Sequence, residues 1–192
     1  MADLLDTLSR LCRLNESQLQ PLLEIFRPDA LQPGEHFVEA GEKGTAIAFL
    51  ESGLLRSYYI SPDGKEHNKH FFQPSELLAP LTSLVTGEPS PVYIGCLQEA
   101  RLQIADYATL LKVYQAHPYL NKVGRILVEW AWIGKERRET QLIMLNSLER
   151  YQAFQQEFPG LEEQIPQYHI ASYLGITPVQ LSRLRARLGA SP

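Results

Sequence analysis

QYHIASYLGITPVQLSRLRA, Gln167 to Ala186, is the stretch whose reading decides how the C-terminal part of this chain folds. Its apolar and small residues fall where two short helices crossing at a steep angle need them. Ile170, Ala171 and Leu174 line the inner face of a first helix, and the small Ala171 lets the second helix come close. Gly175 stands at the turn, where the chain needs a positive φ that glycine adopts at least cost. Ile176 plugs the junction. Thr177 is a preferred N-cap, and Pro178 follows at the first helical position, where a missing N–H is harmless. Leu181 and Leu184, three residues apart, line the inner face of the second helix. This is the pattern of a helix-turn-helix. Thr177, besides its cap role, is an expected DNA contact, and beyond it the second helix turns Val179, Gln180, Ser182, Arg183, Arg185 and Arg187 outward. These are groups that hydrogen-bond base edges or pair with phosphates. Gln167, Tyr168 and His169, at the start of the first helix, are expected to add contacts to a nucleic-acid backbone.

The net charge of −4 looks wrong for a nucleic-acid partner. Distribution matters more than the total. From Pro166 to Pro192 there are three arginines and no acid, while the acids lie upstream, among them Glu149, Glu157, Glu162 and Glu163. A basic end on an acidic body can bind DNA, and the body discourages indiscriminate adhesion. Glu162 and Glu163 themselves read as a solvated acidic face. The 192 residues make one or two domains, and 44% hydrophobic residues suffice for a sizeable core. No run approaches the roughly 18 apolar residues of a membrane span. The opening MADLLDTLSRLCRL carries early acids and is no secretory signal, so no membrane association and a cytoplasmic location are expected. Cys12 and Cys96 are widely spaced and form no CxxC, which favours buried thiols over a disulfide or a metal site.

Working back from the C-terminus, Asn146 and Glu149 form a capping box that opens SLERYQAFQQEF, and Phe158-Pro159-Gly160 stops it. Residues 107 to 145 are helical. Between Ile126 and Ile133 the pattern is apolar nearly all round, where a surface helix would show a single stripe. Such a segment must be covered on two sides, one of them by a second copy of the chain. Val123, Ile126 or Leu127, Trp130 and Ile133 give a seam at 3–4 spacing that suits a partner helix, so a homodimer is expected. From about Ala30 to Asp106 short strands alternate with turn signals roughly every ten residues, the texture of an antiparallel sandwich or roll. LLRSYYI and HNKHFF form a hairpin about Asp63-Gly64. Residues 2 to 26 read as two helices. Leu4, Leu5, Leu8 and Leu11 share a face of the first, an Asn15–Gln18 capping box opens the second, and Pro28 with Asp29 ends it.

The order of parts, with two local matches, resembles the Crp/Fnr superfamily of bacterial transcription regulators. The segment PGEHFVEAGEKGTAIAFLESGLLRSYYISPDGKE (33–66) looks like the first strands of that family's roll, and Gly175, Thr177, Ser182 and Arg183 sit at positions of its helix-turn-helix. The resemblance implies an α+β fold. An N-terminal antiparallel β-roll (a double-stranded jelly roll) with flanking helices precedes a long dimerisation helix and a C-terminal helix-turn-helix. The expected division is 1–117 for an effector domain, 118–145 for the dimerisation helix and 146–192 for the DNA-binding domain. It implies a sequence-specific regulator that binds double-stranded DNA at an inverted repeat and answers to a small-molecule effector.

The chain departs from that family at the cyclic-nucleotide cassette. There a Gly-Glu holds the ribose and an Arg-Ser holds the cyclic phosphate. Here those positions read Leu78-Ala79 and about Ser90-Pro91, and no Arg or Lys lies between Lys69 and Arg101. A phosphodiester buried in a roll needs a cation or several convergent N–H groups, and Pro91 removes one donor. The effector is therefore expected to be something other than cAMP, or absent, and the stretch 77–92 reads as an apolar pocket, open or self-filled. Two distant cysteines cannot hold an iron–sulfur cluster, and the histidines match no haem motif, so no cofactor is expected. The five residues after Arg187 are too few for the β-hairpin wing that many family members carry there. An enzyme of the cupin type would need metal ligands on alternate strand residues. His67 and His70 are three apart and point to opposite faces, so neither an enzyme nor a metal site is expected. The alternative is a roll that binds a small molecule or cyclic nucleotide and acts through protein–protein contacts without DNA.

Overall fold

The computed structural model describes residues 2–189. They form two compact units. Unit 1 is the chain up to Tyr59 together with His70–Trp130, and unit 2 is Ile60–Lys69 together with the chain from Ala131 onward.

Unit 1 begins with helix α1 (Leu4–Cys12), whose Asp3 cap accepts the Asp6 N–H at 2.8 Å. Helix α2 (Glu16–Leu23) opens on the expected Asn15–Gln18 box, with both reciprocal bonds at 3.0 Å. It stops at Leu23, sooner than its sequence suggests. Pro28 and Asp29 instead lie inside strand β1 (Arg27–Leu31). That strand is an edge, where a residue without a backbone donor is tolerated. Strands β2 (His36–Val38), β3 (Ala46–Ile60), β4 (Glu66–Phe72), β5 (Leu77–Leu78) and β6 (Tyr93–Asp106) complete a six-stranded sheet of order β1-β6-β3-β4, with β2 on β6 and β5 on β3. Helix α3 (Leu81–Thr86) precedes β6, and α4 (Tyr107–Ala116) follows it.

The two long strands β3 and β6 pair antiparallel from Ala46↔Asp106 to Tyr58↔Tyr93, with the register shifting between Leu50 and Leu55. Gly53 sits at this irregularity with φ 96°, and a Cβ there would stand 2.3 Å from the Glu99 carbonyl oxygen. Only glycine permits that approach, and the bulge bends the ribbon. Strand periodicity then sends side chains to two cores. Ala48 and Leu50 join Val38, Leu55, Leu78, Ile94, Cys96, Ala100 and Leu102 on one face. Phe49 points the other way, to Leu8, Leu19, Leu22, Leu110, Leu120 and Val123 under the helices.

Helix α5 (Asn121–Met144) follows a 3-10 turn at Pro118–Leu120, and the division between units falls within it, after Trp130. Its first turns differ from the expected seam. Val123 is 1% exposed in the core of unit 1, and Ile126 and Leu127 pack against the same cluster. Helices α1, α2 and α4 consume this end of α5, which its own pattern could not reveal. Val123 therefore has no surface to offer a partner. Trp130 (58%) and Ile133 (43%) do, and Ile143 and Met144 further along are exposed as well. No helix among the described residues is long and apolar enough to cross a membrane.

Unit 2 continues with α6 (Ser147–Glu157), a 3-10 turn Leu161–Glu163, α7 (Gln167–Leu174) and α8 (Pro178–Gly189). The Asn146–Glu149 box opens α6 as expected. Phe154, Phe158, Leu161, Ile170, Ala171, Leu174 and Leu181, all at 2% exposure or less, make its core. The hairpin tip Ile60–Lys69 also belongs here. In its turn, Lys65 and Ser61 hold the Asp63 carboxyl down at about 2. Of the five residues after Arg187, on which the expectation of no wing rests, Leu188 and Gly189 continue α8, and residues 190–192 lie outside the described residues.

Candidate nucleic-acid interface

The turn between α7 and α8 closes as its residues require. Gly175 takes φ 68°, its N–H reaches the Ser172 carbonyl at 3.2 Å, and the Ile176 N–H reaches Ala171 O at 3.0 Å. Leu181, fully buried, seats α8 on α7, and Leu184 is half-buried beside it. Each turn of α8 then has one committed face and one open one. Val179, Ser182, Arg183 and Arg187 stand exposed, as do Gln167 and Tyr168 at the start of α7.

Three of the expected contact residues have other duties. The Thr177 cap forms a reciprocal box with Gln180: the Gln180 N–H reaches Thr177 Oγ1 at 3.2 Å, and the Thr177 N–H reaches Gln180 Oε1 at 2.8 Å. T-x-x-Q is legible in the chain as a capping box, and its glutamine was read only as a base contact. With its oxygen held, Gln180 offers only its amide N–H groups. Arg185 is not an outward phosphate ligand. Its Nε donates to the Tyr151 hydroxyl and its Nη2 to Glu162 Oε2, both at 3.1 Å, and it is half-buried. Two turns into α8, its side chain reaches back to Tyr151 of α6 and to Glu162 of the 3-10 turn that follows it. His169 is buried at 4% exposure and faces Asn68, so it is unavailable to DNA.

Glu162 is correspondingly no solvated acid. It accepts from the Tyr151 hydroxyl, from Gln155 Nε2 at 3.2 Å and from Arg185. Partial burial opposes its ionised form, but these three donors outweigh it and hold the carboxyl below the usual carboxylate range. Burial, and then the bond to Glu162, push the Tyr151 hydroxyl up.

Two arginines that drew no attention in the sequence fix the other end of the motif. Arg138 of α5 donates to the Tyr173 carbonyl and stacks over the Tyr173 ring, its guanidinium 3.8 Å from the centroid. Arg150 of α6 donates from Nε to Leu174 O at 3.0 Å and from Nη1 to Leu145 O at 2.8 Å. Both place a cation on the last carbonyls of α7, where the helix dipole is negative. A rule of basic residues near helix ends finds such pairs only within one helix, and these come from two others.

The roll has spent its donors on itself. At the Arg-Ser position, the Ser90 N–H reaches Glu42 O at 2.7 Å and its hydroxyl reaches Val92 O at 2.8 Å. The Val92 N–H turns back to Ser90 Oγ, and the Gly41 N–H to Ser90 O. Ser83 accepts the Gly44 N–H at 2.9 Å. Both serines are 2% exposed. At the Gly-Glu position, Leu78 is buried in the sheet core. These residues do not fit a cyclic phosphate. Nor do the thiols fit an iron–sulfur cluster: Cys12 lies in the core under the helices and Cys96 in the other, both free. Among the described residues no cluster of His, Cys, Asp or Glu could hold a metal, and His70 is bonded to Glu76 at 2.9 Å.

Comparison with known proteins finds relatives that share this fold. Residues 28–117 match the family of the cyclic nucleotide-binding domain. The chain is 26% identical to the fumarate and nitrate reduction regulatory protein of Vibrio cholerae, covering 96% of this chain and 79% of that one. Among solved structures it is similar to the c-di-GMP-responsive global regulator CLP of Xanthomonas campestris, with a TM-score of 0.73, 14% identity and 92% of each chain covered. It is also similar to FixK2 of Bradyrhizobium japonicum, with a TM-score of 0.69 and 19% identity over 86% of this chain and 85% of that one.

Proposed function

We propose that the chain is a transcriptional regulator of the Crp/Fnr superfamily, a reading supported by its family match and its curated relative, and that it works as a homodimer which reads an inverted-repeat operator through α8. The observation that carries this reading is the two-sided character of α8. Leu181 anchors it, and Val179, Ser182 and Arg183 stand clear of the fold on the opposite side. Arg183, on the early turns, is suited to a bidentate pair with guanine, with Ser182 and the Gln180 amide beside it. Arg187, further along, is placed for phosphate, as are Gln167 and Tyr168 on α7.

A dimer presents two such helices about 34 Å apart, in successive major grooves. The exposed apolar residues of α5, from Trp130 and Ile133 to Met144, supply the contact, since a patch of that kind rarely faces water in a monomer. The functional division is 1–117 for signal reception, 118–145 for dimerisation and 146–192 for DNA. The roll answers to a molecule other than cAMP, or to none, because its serines and amides are bonded internally. The protein is a regulator and not an enzyme, and works in the cytoplasm.

Selection of duplexes from a random library tests this. The protein should enrich an inverted repeat, and its affinity should fall steeply as salt rises, because counterions are released from the phosphates. A library that emerges unenriched removes the base-reading role. Retention of an acidic protein with no retention of duplex would favour the alternative of a module that acts through protein contacts.

A further inference from the structure

Helix α7 has eight residues, and Pro166 at its N-terminus gives no side-chain cap. A helix so short has little stability of its own, so its pose is set by what it packs against. The inner face meets α8. The opposite side meets the tip of the β3–β4 hairpin, within unit 2. Strand β4 ends the sheet order, so its outer edge turns backbone groups away from β3. Glu66 O and Asn68 N, two residues apart, point to the same edge. The Ser172 hydroxyl serves both, accepting the Asn68 N–H at 2.9 Å and donating to Glu66 O at 2.7 Å. One serine of α7 thus stands in for a missing strand. The Asn68 side chain, 6% exposed, adds a bond from Nδ2 to His169 O at 2.9 Å and faces His169 Nδ1 at 3.3 Å.

While the hairpin is docked in this way, Gln167, Tyr168, Val179 and Arg183 remain exposed. The hairpin therefore grips α7 from the side away from the reading face. We propose that Asn68 and Ser172 are positioning residues for DNA binding: they hold α7, and through it the recognition helix, in the pose that meets DNA, and they touch no DNA themselves. This rests on the DNA-binding reading above. The segment that grips α7 is the tip that joins β3 to β4, so it is covalently continuous with the effector sheet.

The test is anisotropy of a labelled duplex selected by the wild type, read as a function of salt. Ser172→Ala removes both edge bonds and should weaken binding about fivefold to tenfold at fixed salt. The slope of log K against log salt should stay unchanged, because no phosphate contact is lost. Ser172→Thr keeps the hydroxyl and should restore the affinity. Ser172→Ala binding as tightly as wild type, or a changed slope, would overturn the proposal. A second measurement needs no variant. Exchange of the Asn68 amide hydrogen in the wild type should be as slow or slower with duplex bound, and faster exchange on binding would show that the hairpin lets go and overturn the clamp. A wild type that binds no duplex removes the DNA-binding reading instead, and the inference with it.

Discussion

The roll turn around Ser83 and Ser90 and the outer face of α8 both carry hydroxyls and nitrogen donors of the kind that bind phosphate, yet the first set is buried and the second exposed. In the roll the serines are buried, and the amides of Gly41, Gly44, Ser90 and Val92 all end on protein oxygens. On α8, Ser182 and Arg183 stand in solvent. A donor that already has a partner gives a ligand only the difference between two bonds. The contrast teaches that a residue type does not by itself make a site: what a polar group can give a ligand depends on the partners it already has.

The largest effect should come from the pairing of two reading faces. Trp130→Glu places a charge in the apolar contact of α5 and should cost several kcal/mol of dimer stability. Sedimentation should then show a 21.8 kDa monomer that keeps its helical circular dichroism and loses most operator affinity. A variant that stays dimeric moves the interface elsewhere. Next is the reading itself. Arg183→Ala should cost about 1–3 kcal/mol per half-site and relax one base position in the selected sequence. An unchanged selected site would make the open face of α8 a mere basic surface and dissolve the contrast. Thr177→Ala removes one side of the capping box and should destabilise unit 2 by about 1 kcal/mol, seen as a lower melting temperature.

A smaller effect lies on the committed side of α8. The Glu162 carboxyl titrates lower in the folded chain than its unfolded value of about 4.3. Its stabilising contribution is therefore complete above that value and fades as pH falls through the lowered folded one. Glu162→Gln should reduce the melting temperature at neutral pH, and the gap to wild type should narrow below about pH 4. A gap that persists at pH 3 would mean that packing, not the ion pair with Arg185, matters there. The smallest expected response is none. Calorimetry with cAMP or cGMP at millimolar concentration should find no saturable binding, and a Kd below about 10 μM, near 7 kcal/mol, would show that the roll still holds phosphate by another route.

Local chemistry decided much of this protein from the sequence by itself. Capping boxes at Asn15 and Asn146, the Asp63-Gly64 hairpin, the glycine turn at Gly175 and the anchor at Leu181 depend on residues within a few positions of one another, and each stands where its pattern placed it. The departure from the Gly-Glu and Arg-Ser pattern was equally legible, because Leu78-Ala79 and Ser90-Pro91 carry no carboxylate and no guanidinium in any conformation. Tertiary structure alone decided which outward residues were already taken. Arg185 lies 23 residues from Glu162 and 34 from Tyr151, and Asn68 lies 101 from His169. A helical wheel assigns Arg185 to solvent and Val123 to a partner, since it knows one helix and none of its neighbours. Whether a side chain on such a face meets water, DNA or its own fold depends on contacts between residues far apart in sequence, and short-range periodicity carries no information about those.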